Sequence, residues 1–195
     1  MAKGLKYSVQ PSPYGKDDLA RYVEEELRRI ESSIDWLWQD KRNISTTSTI
    51  TAGNSGTTET DLFSYSVPGD TLRKDGESLE FWFGGTLLGH ATATRQLRVK
   101  FGATTIYDST AQTNTTNYEF SLRGQIMRVN ATSQKSIVFL NTTQAQLFVF
   151  SDYATSAETL SNAITLKLTG QAGGVGAATN DIKFELGKVS WFPKE

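Results

Sequence analysis

Cysteine is absent from this chain of 195 residues, and histidine occurs once, at His90. Without cysteine there can be no disulfide framework, thiolate zinc site, iron–sulfur cluster or cysteine nucleophile. A single histidine removes histidine-rich metal sites and leaves any Ser-His-Asp triad dependent on one residue. We therefore expect no metal ion and no cofactor.

Long apolar runs and net charge are also lacking. No stretch approaches the ~20 apolar residues of a membrane span, and the N-terminus lacks the apolar core of a signal peptide. The 20 basic residues are balanced by 21 acidic ones, which leaves a net charge of −1. Such a chain has no global attraction to nucleic acid or to an anionic membrane. The sequence predicts a protein made in a cytoplasm, with neither of these partners.

Charge is concentrated between Lys16 and Arg42, where 27 residues carry 14 charged side chains. Apolar residues recur there at alternating spacings of three and four, the a/d pattern of a coiled coil. These residues, the apolar stripe, are Ala20, Val23, Leu27, Ile30, Ile34 and Leu37. The pattern predicts one amphipathic helix over residues 16–42. Its stripe can be buried against its own β body or against copies of itself, and we favour copies.

The segments on either side of this helix lack the pattern. Residues 43–60 have the Ser/Thr/Gly-rich composition of a linker, which would hold the helix away from the body. Within the stripe, Leu27 with Ile30 favours three or four helices and Ile34 with Leu37 favours two; we expect three.

Residues 1–15 are predicted to form an extended arm that docks on a larger particle; a terminus without a role is the alternative. Its candidate anchoring residues are Tyr7, Pro11, Pro13 and Tyr14.

Residues 61–195 have the pattern of a β domain. All 25 threonines follow Arg42, and threonine favours strands over helix interiors. Short alternating segments predict about nine or ten strands, with phase shifts at Gly124, turning Met127 and Val129 inward, and at Gly187. Continuous apolar runs at 137–140 and 147–150 predict strands covered on both faces. Because crossover helices are missing, we expect a mainly β fold, an antiparallel jelly-roll-like sandwich.

Catalytic patterns are not apparent in this β domain, because its carboxylates are scattered and no motif pairs two of them across a sugar site. We therefore do not expect an enzyme. Trp82 lies between the inward-facing Phe81 and Phe83, so alternation points its indole outward, where it could stack on a sugar or fill a subunit interface. His90 lies in a Gly/Thr-rich segment and is a second candidate for ligand contact; a surface residue without a role is the commoner case.

Three stretches carry a resemblance to a known class: DLARYVEEELRRI at residues 18–30, GESLEF at 76–81 and LRVKFGATTIYD at 97–108. With the arm and linker around them, they resemble small structural proteins of tailed bacteriophages, namely head fibres, capsid decorations and short tail-fibre subunits. The resemblance implies a homotrimer of the virion, attached to a capsid or tail protein by its N-terminal part, with the β domain projecting. It implies synthesis in the host bacterial cytoplasm and brings no catalytic residues. The alternative is a carbohydrate-binding module at a fibre tip, with Trp82 and His90 contacting a host surface glycan.

Overall fold

The computed structural model describes residues 19–40, 52–143 and 150–193. The chain divides into two compact units, Met1–Asn43, which contains the helix, and Ile44–Glu195, which contains the strands. The elements are α1 (Leu19–Asp40), β1 (Ala52–Gly53), β2 (Thr60–Val67), β3 (Ser78–Leu87), β4 (His90–Phe101), β5 (Thr104–Asp108), β6 (Gln112–Asn114), β7 (Tyr118–Asn130), β8 (Ser133–Thr142), β9 (Phe150–Ser156), β10 (Ile164–Gly174) and β11 (Ile182–Phe192).

The helix α1 occupies 22 residues inside the segment in which the sequence predicts it. Two ion pairs connect successive turns, between Arg28 and Glu24 at 2.9 Å and between Arg29 and Glu26 at 3.0 Å. Spacings of three and four residues place such partners on the same side of a helix, where they stabilise it by a few tenths of a kcal/mol each. The ends of the predicted segment, and the arm before it, lie outside the described residues.

The strands form two antiparallel sheets, which confirms the predicted β-sandwich. The first sheet has six strands in the order β1-β11-β3-β7-β8-β9; the second follows β2-β10-β4-β5, with β6 paired to β4. Most neighbouring strands are far apart in sequence, as β2 and β10 are. The register between such distant strands therefore decides which side chains stand next to one another on each outer face.

Aromatic rings join the two sheets at the centre of the core. Phe63 on β2 packs between Phe83 on β3 and Phe184 on β11, with ring centroids 4.9 and 5.4 Å away. Tilted pairs at these separations add about 0.5–1.5 kcal/mol to the gain from burial alone. All three side chains are buried, as the alternation of apolar residues predicts.

A buried ion pair also connects the sheets. Arg95 on β4 is 2% exposed, and its Nη2 lies 3.2 Å from Oδ2 of Asp181, which directly precedes β11. The same oxygen accepts a hydrogen bond of 2.8 Å from the backbone N–H of Ala178. Arg95 is therefore part of the interior, in phase with the inward Leu97 and Val99 of the same strand.

The predicted linker ends earlier than its composition indicates, because residues 52–60 belong to the sandwich. Ala52 and Gly53 pair with β11 at the edge of the six-stranded sheet. The buried Asn54 donates to the carbonyls of Gly56 and Ala178 and accepts from the backbone N–H of Ile182 at 2.8 Å. This asparagine holds the segment in place, and composition alone does not reveal such a role. Residues 43–51 lie outside the described part.

The phase shift predicted at Gly124 is wrong. Strand β7 pairs with β3 without interruption from Met127 to Tyr118, and Met127 and Val129 are exposed. Gly124 itself takes an inward position opposite Phe81; a Cβ there would lie 2.3 Å from the end of the Phe81 ring. The missing side chain leaves room for this ring, which explains why an inward position carries no apolar residue.

The sequence also predicts two apolar runs covered on both faces and a phase shift in the last strand, and the structure can be compared with these predictions. The run at 137–140 is not covered on both faces, because Ile137 and Phe139 are exposed. The side chains of the run at 147–150 lie outside the described part. Strand β11 does change phase, but between Phe184 and Leu186 rather than at Gly187, and Val189 is then buried as predicted. The six-stranded sheet thus has exposed apolar side chains on its outer face.

A candidate binding face around Trp82

Trp82 lies in the middle of the outer face of the six-stranded sheet. It is 38% exposed, which confirms the orientation predicted by alternation. Its partners in register are Arg123 on β7 and Lys188 on β11, and the partner of Arg123 on the next strand is Phe139. Because neighbouring strands lie about 4.7–4.9 Å apart, these four side chains form one row across the sheet.

A shallow cavity of about 420 Å³ opens over this row. We call the surface around it the Trp82 face; its outward residues are Glu80, Trp82, Arg123, Gln125, Ile137, Phe139, Lys188, Ser190 and Phe192. They come from four strands, β3, β7, β8 and β11. The combination of an indole, aliphatic and aromatic carbon, and a few polar groups is typical of sites that bind small organic molecules.

The indole of Trp82 is held by two contacts. Its Nε1–H donates a hydrogen bond of 2.7 Å to Oγ of Ser121 on β7. The guanidinium carbon of Arg123 lies 5.5 Å from the ring centroid, within range of a cation–π interaction. Since the polar edge of the indole is already satisfied, its carbon surface is what remains for a ligand.

The two cations of the Trp82 face, Arg123 and Lys188, have no carboxylate partner in the described part of the chain. Among the described residues no carboxylate lies within 4.0 Å of the side-chain nitrogens of Arg123 or Lys188, and Glu80 is the one acidic group in the cavity lining. Two cations against one carboxylate give this surface a positive charge at neutral pH. The cations are therefore free to meet groups from outside.

The outer face of the five-stranded sheet has the opposite character, because its charges pair with each other. Arg98 contacts Glu59 at 3.0 Å and Asp108 at 2.9 Å, and Lys100 also contacts Glu59. Burial acts to raise the pKa of Asp108, but hydrogen bonds from Gln96 and Arg98 outweigh it and the net shift is downward. The same balance lowers the pKa of Glu59, through Lys100 above all.

His90 is not brought to Trp82. It begins β4 in the five-stranded sheet, is exposed, and is absent from the cavity lining. Its Nδ1 accepts a hydrogen bond of 3.3 Å from the backbone N–H of Thr92. The two candidate ligand contacts predicted from the sequence thus stand in different sheets.

The apolar stripe of α1 is described at three of its six positions. Val23, Leu27 and Ile30 are 46%, 60% and 38% exposed. The side chains of Ala20, Ile34 and Leu37, and the arm residues Tyr7, Pro11, Pro13 and Tyr14, lie outside the described part.

Sequence reasoning found Trp82 and missed the rest of its face. Alternation in β3 suffices to orient Trp82. The residues beside it, Arg123, Lys188 and Phe139, are brought there by pairing between strands that lie up to about a hundred residues apart in sequence. Phe192 at the end of β11 is also exposed on this face. In the described parts of the chain, no cluster of three or more metal-ligating side chains occurs. The helix of the described ranges lacks the length and apolar character needed to cross a membrane.

No protein-family model matches the chain. No curated protein sequence matches it significantly. Among solved structures it is similar to the CBM2 module of the evolved Dit protein of Lactobacillus casei BL23 phage J-1, at 9% identity and a TM-score of 0.35, covering 68% of this chain and 69% of that one. It is also similar to lectin II from Ulex europaeus, at 8% identity and a TM-score of 0.35, covering 77% and 99%. At these scores the likenesses carry no argument about what this chain binds.

Proposed function

We propose that this chain is a structural protein of a bacteriophage particle, a homotrimeric head fibre, capsid decoration or tail appendage. Copies assemble through α1, the N-terminal arm docks on a capsid or tail protein, and the β-sandwich projects. The observation that supports assembly is the exposure of Val23, Leu27 and Ile30 along one stripe of α1. The place in the virion rests on the resemblance of the sequence, and no catalytic step is part of the proposal.

The physical reason for assembly is the cost of leaving this stripe in water. Burying a side chain of this size contributes about 1.5–3 kcal/mol before entropy is subtracted. An isolated helix of this length is marginal in water, because the cost of its nucleation is high. Packing of the stripes of several copies removes the apolar surface and stabilises the helix at the same time.

The test compares two substitutions that each add one carboxylate to α1. We expect Leu27→Glu to convert the trimer to monomers in a light-scattering mass measurement, because it places charge in the apolar contact. Ser32→Glu, which lies on the opposite side of the heptad, serves as the matched control and should remain trimeric. A monomeric parent protein at working concentration contradicts the assembly proposal. Imaging of phage particles with and without the protein tests its place in the virion.

A second candidate function is favoured by the Trp82 face. We propose as an alternative that the β-sandwich recognises a carbohydrate there, with the ring of Trp82 stacking on the apolar face of a sugar. The exposed indole, held in place by Ser121 and Arg123, supports this role. Such a surface would let an appendage hold a host surface glycan.

A glycan array tests this second function. We expect Trp82→Ala to abolish binding of any glycan that the parent protein retains, because the stacking surface is lost. Val175→Ala, at an exposed apolar position in the loop between β10 and β11, should bind as the parent does. Absence of any retained glycan, or binding that survives Trp82→Ala, contradicts glycan recognition by this face.

A further inference from the structure

We infer that the Trp82 face selects acidic glycans, in which a sugar ring carries a carboxylate. This inference rests on the second candidate function and narrows its ligand class. It is carried by the two cations that flank Trp82 in register and by their lack of partners in the described chain.

The arginines on the described strands of the sandwich, Arg95, Arg98, Arg123 and Arg128, differ in a way that singles out Arg123. Arg95, Arg98 and Arg128 each lie within 3.2 Å of a carboxylate, on Asp181, on Glu59 and Asp108, and on Asp75. Arg123 has no such neighbour within 4.0 Å among the residues that the structure describes, and it is exposed. A guanidinium presents a planar fork of donors that fits a carboxylate with two parallel hydrogen bonds. Arg123 is therefore the group best prepared to receive an external acid.

The position of Arg123 relative to Trp82 suits a carboxylated sugar. The guanidinium lies over the indole, 5.5 Å from the ring centroid, so a sugar that packs on the part of the indole left exposed has its substituents near that cation. On the other side of Trp82, Lys188 stands one strand away. A carboxylate at either edge of the stacked ring meets a positive charge, whereas a neutral sugar leaves both cations without a counter-charge.

A second copy of this chain suits the Trp82 face less well. In a two-fold contact centred on Trp82 the same patch meets itself, so the cations on either side of Trp82 in one copy would face those of the other copy in a desolvated interface. Like charges brought together in such a contact oppose association. Charge complementarity therefore favours an anionic ligand over self-association at this face.

The experiment compares acidic and neutral probes that share one skeleton. Titrations measure binding of oligogalacturonate beside its fully methyl-esterified form, and of sialyllactose beside lactose. We expect at least one acidic probe to bind about tenfold or more tightly than its neutral counterpart, and this preference to weaken with added salt. Arg123→Gln should lower the preference by a similar factor. Lys74→Gln, at an exposed loop lysine, is the matched control and should keep it.

The outcomes separate this inference from the function on which it rests. If glycans bind but the acidic probes bind no better than the neutral ones, the charge inference fails and glycan recognition stands. If neither these probes nor any glycan on the array binds, both fail. If Trp82→Ala lowers the mass of the assembled protein, a second copy covers the face and the inference is overturned. The unfolding temperature of Arg123→Gln is measured as a control. If it equals that of the parent, the loss of preference for acidic probes is not caused by a loss of folded protein.

Discussion

Arg95 shows how strongly a single side chain can depend on its partner. It is buried at the junction of the two sheets, and Asp181 is its carboxylate partner. A buried ion pair contributes little over an apolar pair of the same volume, but removal of one member leaves a charge without compensation. The stability of the sandwich is therefore more sensitive to Asp181 than to most surface acids.

We expect Asp181→Ala to lower the free energy of unfolding by about 3–5 kcal/mol, measured by urea denaturation. Loss of the hydrogen bond from Ala178 adds to the effect of the unpaired guanidinium. Asp61→Ala is the control, since Asp61 forms an exposed pair with Lys167 and should cost about 1 kcal/mol or less. Similar losses for the two variants would show that Arg95 reaches water or another acid when Asp181 is gone.

At the residue level, sequence reasoning succeeds where a property depends on one strand alone. The outward orientation of Trp82 follows from its neighbours Phe81 and Phe83. Alternation also places Arg95 in phase with the inward Leu97 and Arg123 next to the inward Leu122, but the acidic partner of Arg95 comes from a distant part of the chain. Sequence alone does not show that Asp181 lies beside Arg95, and only the assembled sheets bring the two together.

At the scale of elements, the outer face of the five-stranded sheet links stability to pH. Glu59 and Asp108 pair with Arg98, and both carboxyl groups have pKa values below their ordinary values of 4.5 and 3.8. A carboxyl whose pKa is lower in the folded state stabilises the fold above its unfolded pKa. That contribution is lost as the pH falls through the folded pKa.

We expect the free energy of unfolding to decline below about pH 4.5, in urea titrations from pH 7 to pH 2.5. The double variant Glu59→Gln/Asp108→Asn removes both titrating groups, so its stability should fall less steeply over that interval. In 1 M NaCl the difference between parent and variant should shrink, because salt screens half-exposed pairs. Parallel pH curves for parent and variant would contradict this role for the two acids.

The elements also show why one pattern was misread. An inward position without an apolar side chain, at Gly124, looks like a change of phase in a single sequence. The structure fills that position from the opposite strand with the ring of Phe81. The periodicity of one strand shows which of its own side chains face the core. It does not show which side chains of the neighbouring strand fill the space beside a glycine.

At the scale of the whole molecule, the chain joins a helical unit to a β unit with different requirements. The sandwich has its own core and an ion pair between its sheets. The helix keeps part of its apolar stripe exposed, at Val23, Leu27 and Ile30. The stability of the helix should therefore depend on protein concentration, whereas the stability of the sandwich should not.

We expect dilution to reduce the helical signal at 222 nm in circular dichroism, while the thermal transition of the sandwich stays unchanged. The reason is that an isolated helix of this length is marginal, whereas packing between copies weakens as concentration falls. Leu27→Glu should show the low helical signal at every concentration. A helical signal that is constant over a thousandfold dilution in the parent would show that the helix does not depend on other copies.

The fold class of the whole molecule was predictable from the sequence, but the order of the strands in its sheets was not. Alternating apolar residues and missing crossover helices suffice for an antiparallel sandwich after a helix. The order β1-β11-β3-β7-β8-β9 joins strands from both ends of the domain, and no local pattern specifies it. The Trp82 face depends on this order, which is why its composition could not be read from the sequence.

The irregular pairing of β11 has a consequence for the charge next to Trp82. Between Phe184 and Leu186 the strand carries one residue more than β3 does. If Glu185 were part of regular pairing with β3, every later residue of β11 would shift by one position, so Gly187 would lie opposite Trp82 and Lys188 would point inward opposite Phe81. The extra residue thus keeps Lys188 on the outer face, and deleting it should destabilise the sandwich, because an unpaired ammonium would then be buried among apolar side chains.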